Sequence, residues 1–420
     1  MRESFQKRFL LKRFGTPPAK WKIYALEELF SERKESSSNL DKYPLYSFTI
    51  ENGITPKTER YERSFLLKDK DNNEYKLVRL NDLVFNPMNL RFGAIAFSRT
   101  SKTVSVSAYY NILILKNSIC NLIFIESFLK SHQMMDLYDR AAIGSLIEKR
   151  RVHLSEFRKL KVLLPPLPEQ EKIAEILGKW DEGIETVEKL IAAKKKMKKG
   201  LMQQLLTGKE RFKEFERQKW KEYQLHEVVE TLFSNVDKKS HENELPVLLC
   251  NYTDVYKNQY ITDEIPFMQA TAKESEVHKF SLKLDDVVIT KDSETPDDIA
   301  NSAVVVKPLK NVLCGYHLAI LRPLKNVVSG LFLAHMLMLQ VIRHQFSRVA
   351  NGATRFGLSV GDIKKIPICI PSIDEQQKIA LVLNAANKEI ELLNKRLEIL
   401  KQQKKGLMQK LLTGKIRVNV

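Results

Sequence analysis

The sequence predicts an α+β protein made by tandem duplication, with two α+β domains of ordinary size and two long coiled-coil helices. Three observations carry this reading. The twelve residues KKGLMQQLLTGK at 198–209 return as KKGLMQKLLTGK at 404–415. The stretches leading into both copies share one heptad phase. The regions upstream alternate short apolar runs with polar and basic loops, which is how strands and their connections read.

The repeat comes first. Gly200 pairs with Gly406, an offset of 206, and the same offset carries Glu169 to Glu375, Gln170 to Gln376, Lys172 to Lys378 and Ile173 to Ile379. No gap is needed from Pro165/Pro371 to Arg211/Arg417, and about half of the pairs are identical. Farther upstream the likeness weakens but keeps its order. WKIYALEEL from Trp21 parallels WKEYQLHEV from Trp220, LNDLVF from Leu80 parallels LDDVVI from Leu284, and SAYYNILIL from Ser107 parallels CGYHLAILR from Cys314. A period near 200 residues is too long for a solenoid and fits a domain plus a helix.

The helices follow from spacing. In the second copy Ile379, Leu383, Ala386, Ile390, Leu393, Leu397 and Leu400 step by alternating fours and threes, and Leu407 and Leu411 extend the line. In the first copy Ile173, Leu177, Trp180, Ile184, Val187 and Ile191 take the same phase, then Lys194 and Lys198, then Leu201 and Leu205. This is a coiled-coil seam. Prolines 165, 166 and 168 bar helix upstream of the first copy, whereas Pro371 and a capping Asp374 bound the second. Gly208 and Gly414 close them as left-handed C-terminal caps. Glu169 to Leu206 makes a rod of roughly 57 Å at 1.5 Å per residue. The simplest pairing is of the two helices with each other. The two seam lysines leave two readings open, a place where a partner's acidic or polar helix enters or snorkelling side chains at a frayed end.

Strands are expected at 76–80, 82–85, 94–97 and 111–115, and again at 246–249, 286–290, 303–306 and 318–321. Helices are expected near 122–137 and 330–346. The chain has 420 residues, 43% hydrophobic and 29% charged, enough for two or three domains with proper cores. The N-terminal MRESFQKRFLLKRFG does not read as a secretory signal, and the longest apolar run, from Leu331, is too short to span a bilayer. Cysteines 120, 250, 314 and 369 lack CxxC spacing and read as buried thiols of a cytoplasmic protein. A net charge of +18 favours a polyanion, nucleic acid before membrane.

Motifs for chemistry are missing. GLMQQLLTGK has its second glycine too far along for a phosphate-binding loop, and no GxGxxG follows a strand. FNPMNL, from Phe85, lacks the second proline and the aromatic residue of the amino-methyltransferase signature, and Asp297/Asp298 lack a nuclease's downstream Glu-x-Lys. Eight histidines form no HExxH or His/Cys cluster, so no metal is expected. A basic, duplicated chain without these motifs reads as a binding protein. Two other readings stand beside it: a coiled-coil scaffold that does not bind DNA, and a self-sufficient methyltransferase or nuclease.

LPPLPEQEKIAEIL followed by a helix ending in KKGLMQQLLTGK resembles the conserved region of type I restriction–modification specificity (S) subunits. IPSIDEQQKIALVL to KKGLMQKLLTGK resembles that family's second conserved region, with Ser372-Ile373-Asp374 replacing the prolines of the first copy. FNPMNLRFGAIAFSRTSKTVSVSAYY, GSLIEKRRVHLSEFRKLKVLLPP and NGATRFGLSVGDIKKIPICIP resemble stretches of its target-recognition domains. The resemblance covers essentially the whole chain. It implies a target-recognition domain at 1–164, a spacer helix at 165–212, a second domain at 213–370 and a second helix at 371–420, with the helices antiparallel. It implies that each domain reads half of a split, asymmetric site in double-stranded DNA. Two modification subunits would methylate adenine N6 from S-adenosylmethionine, and ATP-driven restriction subunits would translocate and cut. The S subunit itself carries no chemistry and no cofactor, with S-adenosylmethionine, ATP and Mg belonging to partners.

Phosphate contacts need Lys or Arg, and base readout favours Arg on guanine and Asn or Gln on adenine. The candidates are Arg91, Arg99, Lys102, Arg140, Lys149, Arg150 and Arg151 in the first domain. In the second they are Lys291, Arg343, Arg348, Asn351 and Arg355, with glycines 93, 144 and 352 shaping their loops. The bases recognised depend on loop geometry and DNA deformability and are not legible.

Overall fold

A computed structural model of the chain describes residues 18–56, 74–116, 119–146 and 150–419. Two units divide it, one of residues up to Val187 together with those from Arg396 onward, the other Glu188–Lys395. Each unit therefore owns part of both long helices, Leu167–Leu205 and Ile373–Leu412.

In the first unit a four-stranded antiparallel sheet runs in the order Phe30–Glu32, Asn111–Leu115, Asp82–Phe85, Ile95–Phe97. Helices Leu122–Leu129 and His132–Ala141 pack into its core with Phe85, Phe124, Tyr138 and Phe157. The ribbon Lys22–Ala25 with Lys161–Leu164 leads into the long helix. Ile173, Ala174 and Leu177 from one helix and Leu411 and Leu412 from the other complete this core.

The second unit repeats the plan. A five-stranded sheet is ordered Val229–Phe233, Leu318–Pro323, Val287–Thr290, Ser302–Val305, Tyr260–Ile261. The ribbon Lys221–Gln224 with Pro367–Ile370 again precedes the long helix. Its core takes Ile379, Ala380 and Leu383 from one helix and Leu205 and Leu206 from the other.

Ion pairs fix the helix direction inside each unit. In the first, Glu169 meets Arg417 and Asp181 meets Lys404, so one chain climbs as the other descends. In the second, Glu375 meets Arg211 and Glu389 meets Lys194, again antiparallel. The seam positions are buried or half-buried along both helices, while Leu381, Leu392 and Ile399 off the seam are exposed. Lys194 and Lys404 are thus paired with carboxylates of the opposite helix. Lys198 donates to Gln259 Oε1 at 3.4 Å, and burial pushes its ammonium below the ordinary lysine range.

The repeated Glu-Gln dipeptide is the lock at each helix start. Glu169 accepts from Arg417 Nε and Nη2 at 2.7 and 2.9 Å and from the Trp21 indole at 3.2 Å. Glu375 accepts from Arg211 Nε and Nη2 at 2.9 and 2.5 Å. Gln170 donates to the Pro165 and Ile119 carbonyls and accepts from Asn121 N–H. Gln376 does the same with Pro371, Val327 and Ser329. All four side chains are buried. Gly208 and Gly414 have φ of 68° and 69°, and each lies under the ring of Trp220 or Trp21.

Four sequence expectations need correction. Pro168 lies in the first turn of its helix, where a missing N–H costs nothing, and so does not bar it. Asp374 also lies inside the first turn rather than capping it, because that helix begins at Ile373. The helix expected at 122–137 is two, broken where Ser131 turns extended and its hydroxyl accepts from Met134 N–H. The one expected at 330–346 is likewise two, Gly330–Leu337 and Gln340–Val349, broken at an extended Leu339.

Candidate nucleic-acid interface

In the second unit the chain leaves strand Val287–Thr290 into Asp292–Ser293, which pairs with Phe356–Gly357. Asn351 bridges to Gly357 and closes the loop between them. A Cβ at Gly352 would fall 1.9 Å from the Arg355 carbonyl, so this turn requires glycine. The loop presents Arg355, whose Nη2 donates to Asp292 Oδ1 at 2.8 Å and stands 3.3 Å from His317 Nδ1. That imidazole nitrogen lies 2.6 Å from Asp292 Oδ2. The Tyr316 ring packs edge-on against His317, 5.0 Å between centroids. Lys291 points inward. Its Nζ donates to the Ser234 carbonyl at 3.0 Å, sits 4.5 Å from the Tyr316 ring centre, and is pushed down from the ordinary lysine range by burial. Beside this cluster a cavity of about 150 Å³ is lined by Lys238, Asn251, Tyr252, Tyr316 and His317, among others. Tyr252 stacks on Tyr256, whose hydroxyl donates to Asp298 at 3.0 Å.

Arg343 braces the neighbouring turn Pro296–Asp298, donating to Asn301 Oδ1 at 2.8 Å and to the Asp297 carbonyl at 2.9 Å. The first unit builds the same brace with the charges exchanged. Arg91 on the turn Leu90–Phe92 lies 3.6 Å from Asp139 on the helix, and Arg150 reaches the same carboxylate at 3.2 Å. The Arg91 guanidinium also covers Phe92, a ring 58% exposed. Ile143 bridges to Arg151 as Asn351 does to Gly357, so each unit closes a basic loop at the same place.

The two units are thus one plan carrying different polar loops. Residues 18–195 and 217–402 match the family described as type I restriction modification DNA specificity domain. The chain belongs to that family. Among relatives of this type I specificity family, the provisionally named MjaX specificity subunit of Methanocaldococcus jannaschii is 25% identical over 98% of this chain and 97% of its own. The MjaVIII specificity subunit of the same organism is 27% identical over 62% and 63%. Among solved structures, a chain from a study of assembly and conformational transition in a type I system covers 96% of this one and 100% of itself. Its TM-score is 0.59 at 15% identity. The S subunit from M. genitalium covers 97% and 98%, with a TM-score of 0.53 at 16% identity. These likenesses carry the α+β fold with paired long helices.

Within this specificity fold the remaining candidates are dispersed. Arg99 pairs with Glu126, Lys102 lies on an exposed loop, and Arg140 and Arg348 lie on exposed faces of equivalent helices. Lys149 lies outside the described residues. Asn351 donates its side-chain amide to the Val349 carbonyl at 3.0 Å. The structure thus gathers Lys291, Arg355 and Asn351 around one loop, and Arg91, Arg150 and Arg151 around another. Sequence reasoning missed Asp292, His317 and Tyr316. For Tyr316 a signal was present, since it matches Tyr109 in the aligned CGYHL and SAYYN stretches, and both tyrosines are exposed.

Proposed function

We propose that this chain is the DNA-reading subunit of a type I restriction–modification complex. It binds a split, asymmetric site in double-stranded DNA, each target-recognition domain reading one half, and performs no bond-making itself. Two modification subunits dock on it and transfer methyl groups from S-adenosylmethionine to adenine N6. Restriction subunits using ATP and Mg join the same assembly. The observation that carries this reading is the repeated plan with unlike loops. The Glu–Arg and Gln locks and the glycine caps recur in both units, while the basic loops at 143–151 and 351–357 differ in length, sequence and charge partners. Identical frames with unlike polar tips suit two readers of two different half-sites. The net charge of +18 supports attraction to phosphate, and the exposed Leu381 and Leu392 on the long helix support a docked partner. No helix among the described residues is long and apolar enough to cross a membrane.

The test is a genome-wide map of methylated adenines in a host carrying the modification subunit, with and without this chain. A bipartite motif methylated only when the chain is present is expected. Methyl transfer by the purified chain alone would overturn the non-catalytic reading, and absence of DNA binding at any salt, partners included, would favour a scaffold.

A further inference from the structure

We propose that Arg355 reads a guanine in the major groove of the half-site addressed by the second domain, with Asp292 and His317 as positioning residues that set its guanidinium. This rests on the DNA-reading function above. Arg355 is 60% exposed, yet one of its nitrogens is tied to Asp292. Its Nη1 and Nε have no partner among the described residues, and Nη2 keeps a second hydrogen beyond the one given to Asp292, so a bidentate edge, Nη2 with Nη1 or with Nε, stays open on a guanidinium that the Asp292 bond orients. Guanine O6 and N7 are the acceptor pair that such an edge matches. A phosphate contact would be built differently. It gains from uncompensated charge and counterion release, whereas here a carboxylate already neutralises the arginine. That carboxylate is itself fixed, because Asp292 pairs in a strand with Gly357 and its second oxygen is held by the His317 ring. Lys291, next to Asp292 in the chain, is spent on the Ser234 carbonyl. The loop geometry set by Gly352 completes a rigid mount.

The experiment uses the full chain with its modification subunits, after methylation mapping has given the site. Binding is measured by competition on duplexes in which each base pair of that half-site is changed in turn, and on unrelated DNA. Arg355→Ala is expected to lose the preference for one G·C pair, a change of roughly 5- to 150-fold for a bidentate contact. Preferences elsewhere and the salt slope should stay unchanged. Arg355→Lys, which keeps the charge, should lose the same preference. Replacing that guanine by 7-deazaguanine should weaken the unaltered protein and add nothing to Arg355→Ala. Asp292→Asn should blunt the preference at that same pair while tightening binding to unrelated DNA. Equal weakening by Arg355→Ala on every duplex, or full preference kept by Arg355→Lys, overturns the assignment. If Asp292→Asn does not fold, the arginine variants and the deaza base decide alone. An unaltered protein with no site preference at all would instead sink the DNA-reading function, a separate outcome.

Discussion

At residue 375 a carboxylate is fully buried and has one cationic partner, Arg211, itself mostly covered. At residue 169 the equivalent carboxylate has two partners, Arg417 and the Trp21 indole, and that arginine is 39% exposed. Removing the arginine should therefore hurt unequally. Arg211→Ala strands a buried charge and should cost about 3 kcal/mol. Arg417→Ala should cost clearly less, because Trp21 and water remain. Urea denaturation of the two variants checks the order, and equal losses would contradict it. His335 adds a pH dependence. Burial, with Lys198 nearby, lowers its pKa from 6.5 to about 4. The unfolded chain takes up this proton near pH 6.5 and the folded chain does not, so stability is complete above that value and falls as pH drops towards 4. His335→Asn should flatten the loss between pH 6.5 and 4, read from urea midpoints at several pH values. These residues show what the sequence could and could not tell. The Glu-Gln pair and the arginines repeat at one offset and so were visible as a pattern. Each glutamate's arginine lies 164 or 248 residues away, and only folding brings them together.

At the scale of the element, the long helices were the most legible part, because a seam repeated every seven residues has one geometric meaning. The paired helices near 122–141 and 330–349 were less so. Their apolar residues run on without Gly or Pro, and the breaks at Ser131 and Leu339 come from packing over a sheet that periodicity does not encode. Strands 82–85 and 111–115 fell where alternation put them. The short strands Phe30–Glu32 and Tyr260–Ile261 are too brief to carry a pattern. The helix ends make a measurable prediction. Both cap glycines are left-handed, so alanine at either should cost about 1 kcal/mol from backbone strain. At Gly414 the new Cβ would also come within 2.5 Å of Pro18, against 3.3 Å from the Trp220 ring at Gly208. Thermal melts should rank Gly414→Ala below Gly208→Ala, and the reverse order would mean that Pro18 yields freely.

For the molecule as a whole, the two halves use matching parts. Arg211 and Arg417 serve equivalent glutamates, and Leu205/Leu206 and Leu411/Leu412 fill equivalent places in the two cores. A fragment ending near Lys213 lacks Arg417, Leu411 and Leu412 but carries their counterparts. Two copies should exchange them and form a two-fold dimer. Light scattering should give twice the fragment's mass, Arg211→Ala in the fragment should weaken the dimer, and with modification subunits an inverted repeat of one half-site should be methylated. A fragment that stays monomeric would show that the helices are not interchangeable.

The division of the chain also sets an order in time. Residues 188–395 are one uninterrupted stretch, so on the ribosome that unit has all its parts as soon as residue 395 emerges. The other unit, although its strands are made first, waits for Leu411, Leu412 and Arg417 to close its core and lock. Through most of synthesis it holds an open apolar slot of the shape that Leu205 and Leu206 could also fill. The earlier-made half is therefore finished last, and until then it is the half exposed to pairing with the wrong helix.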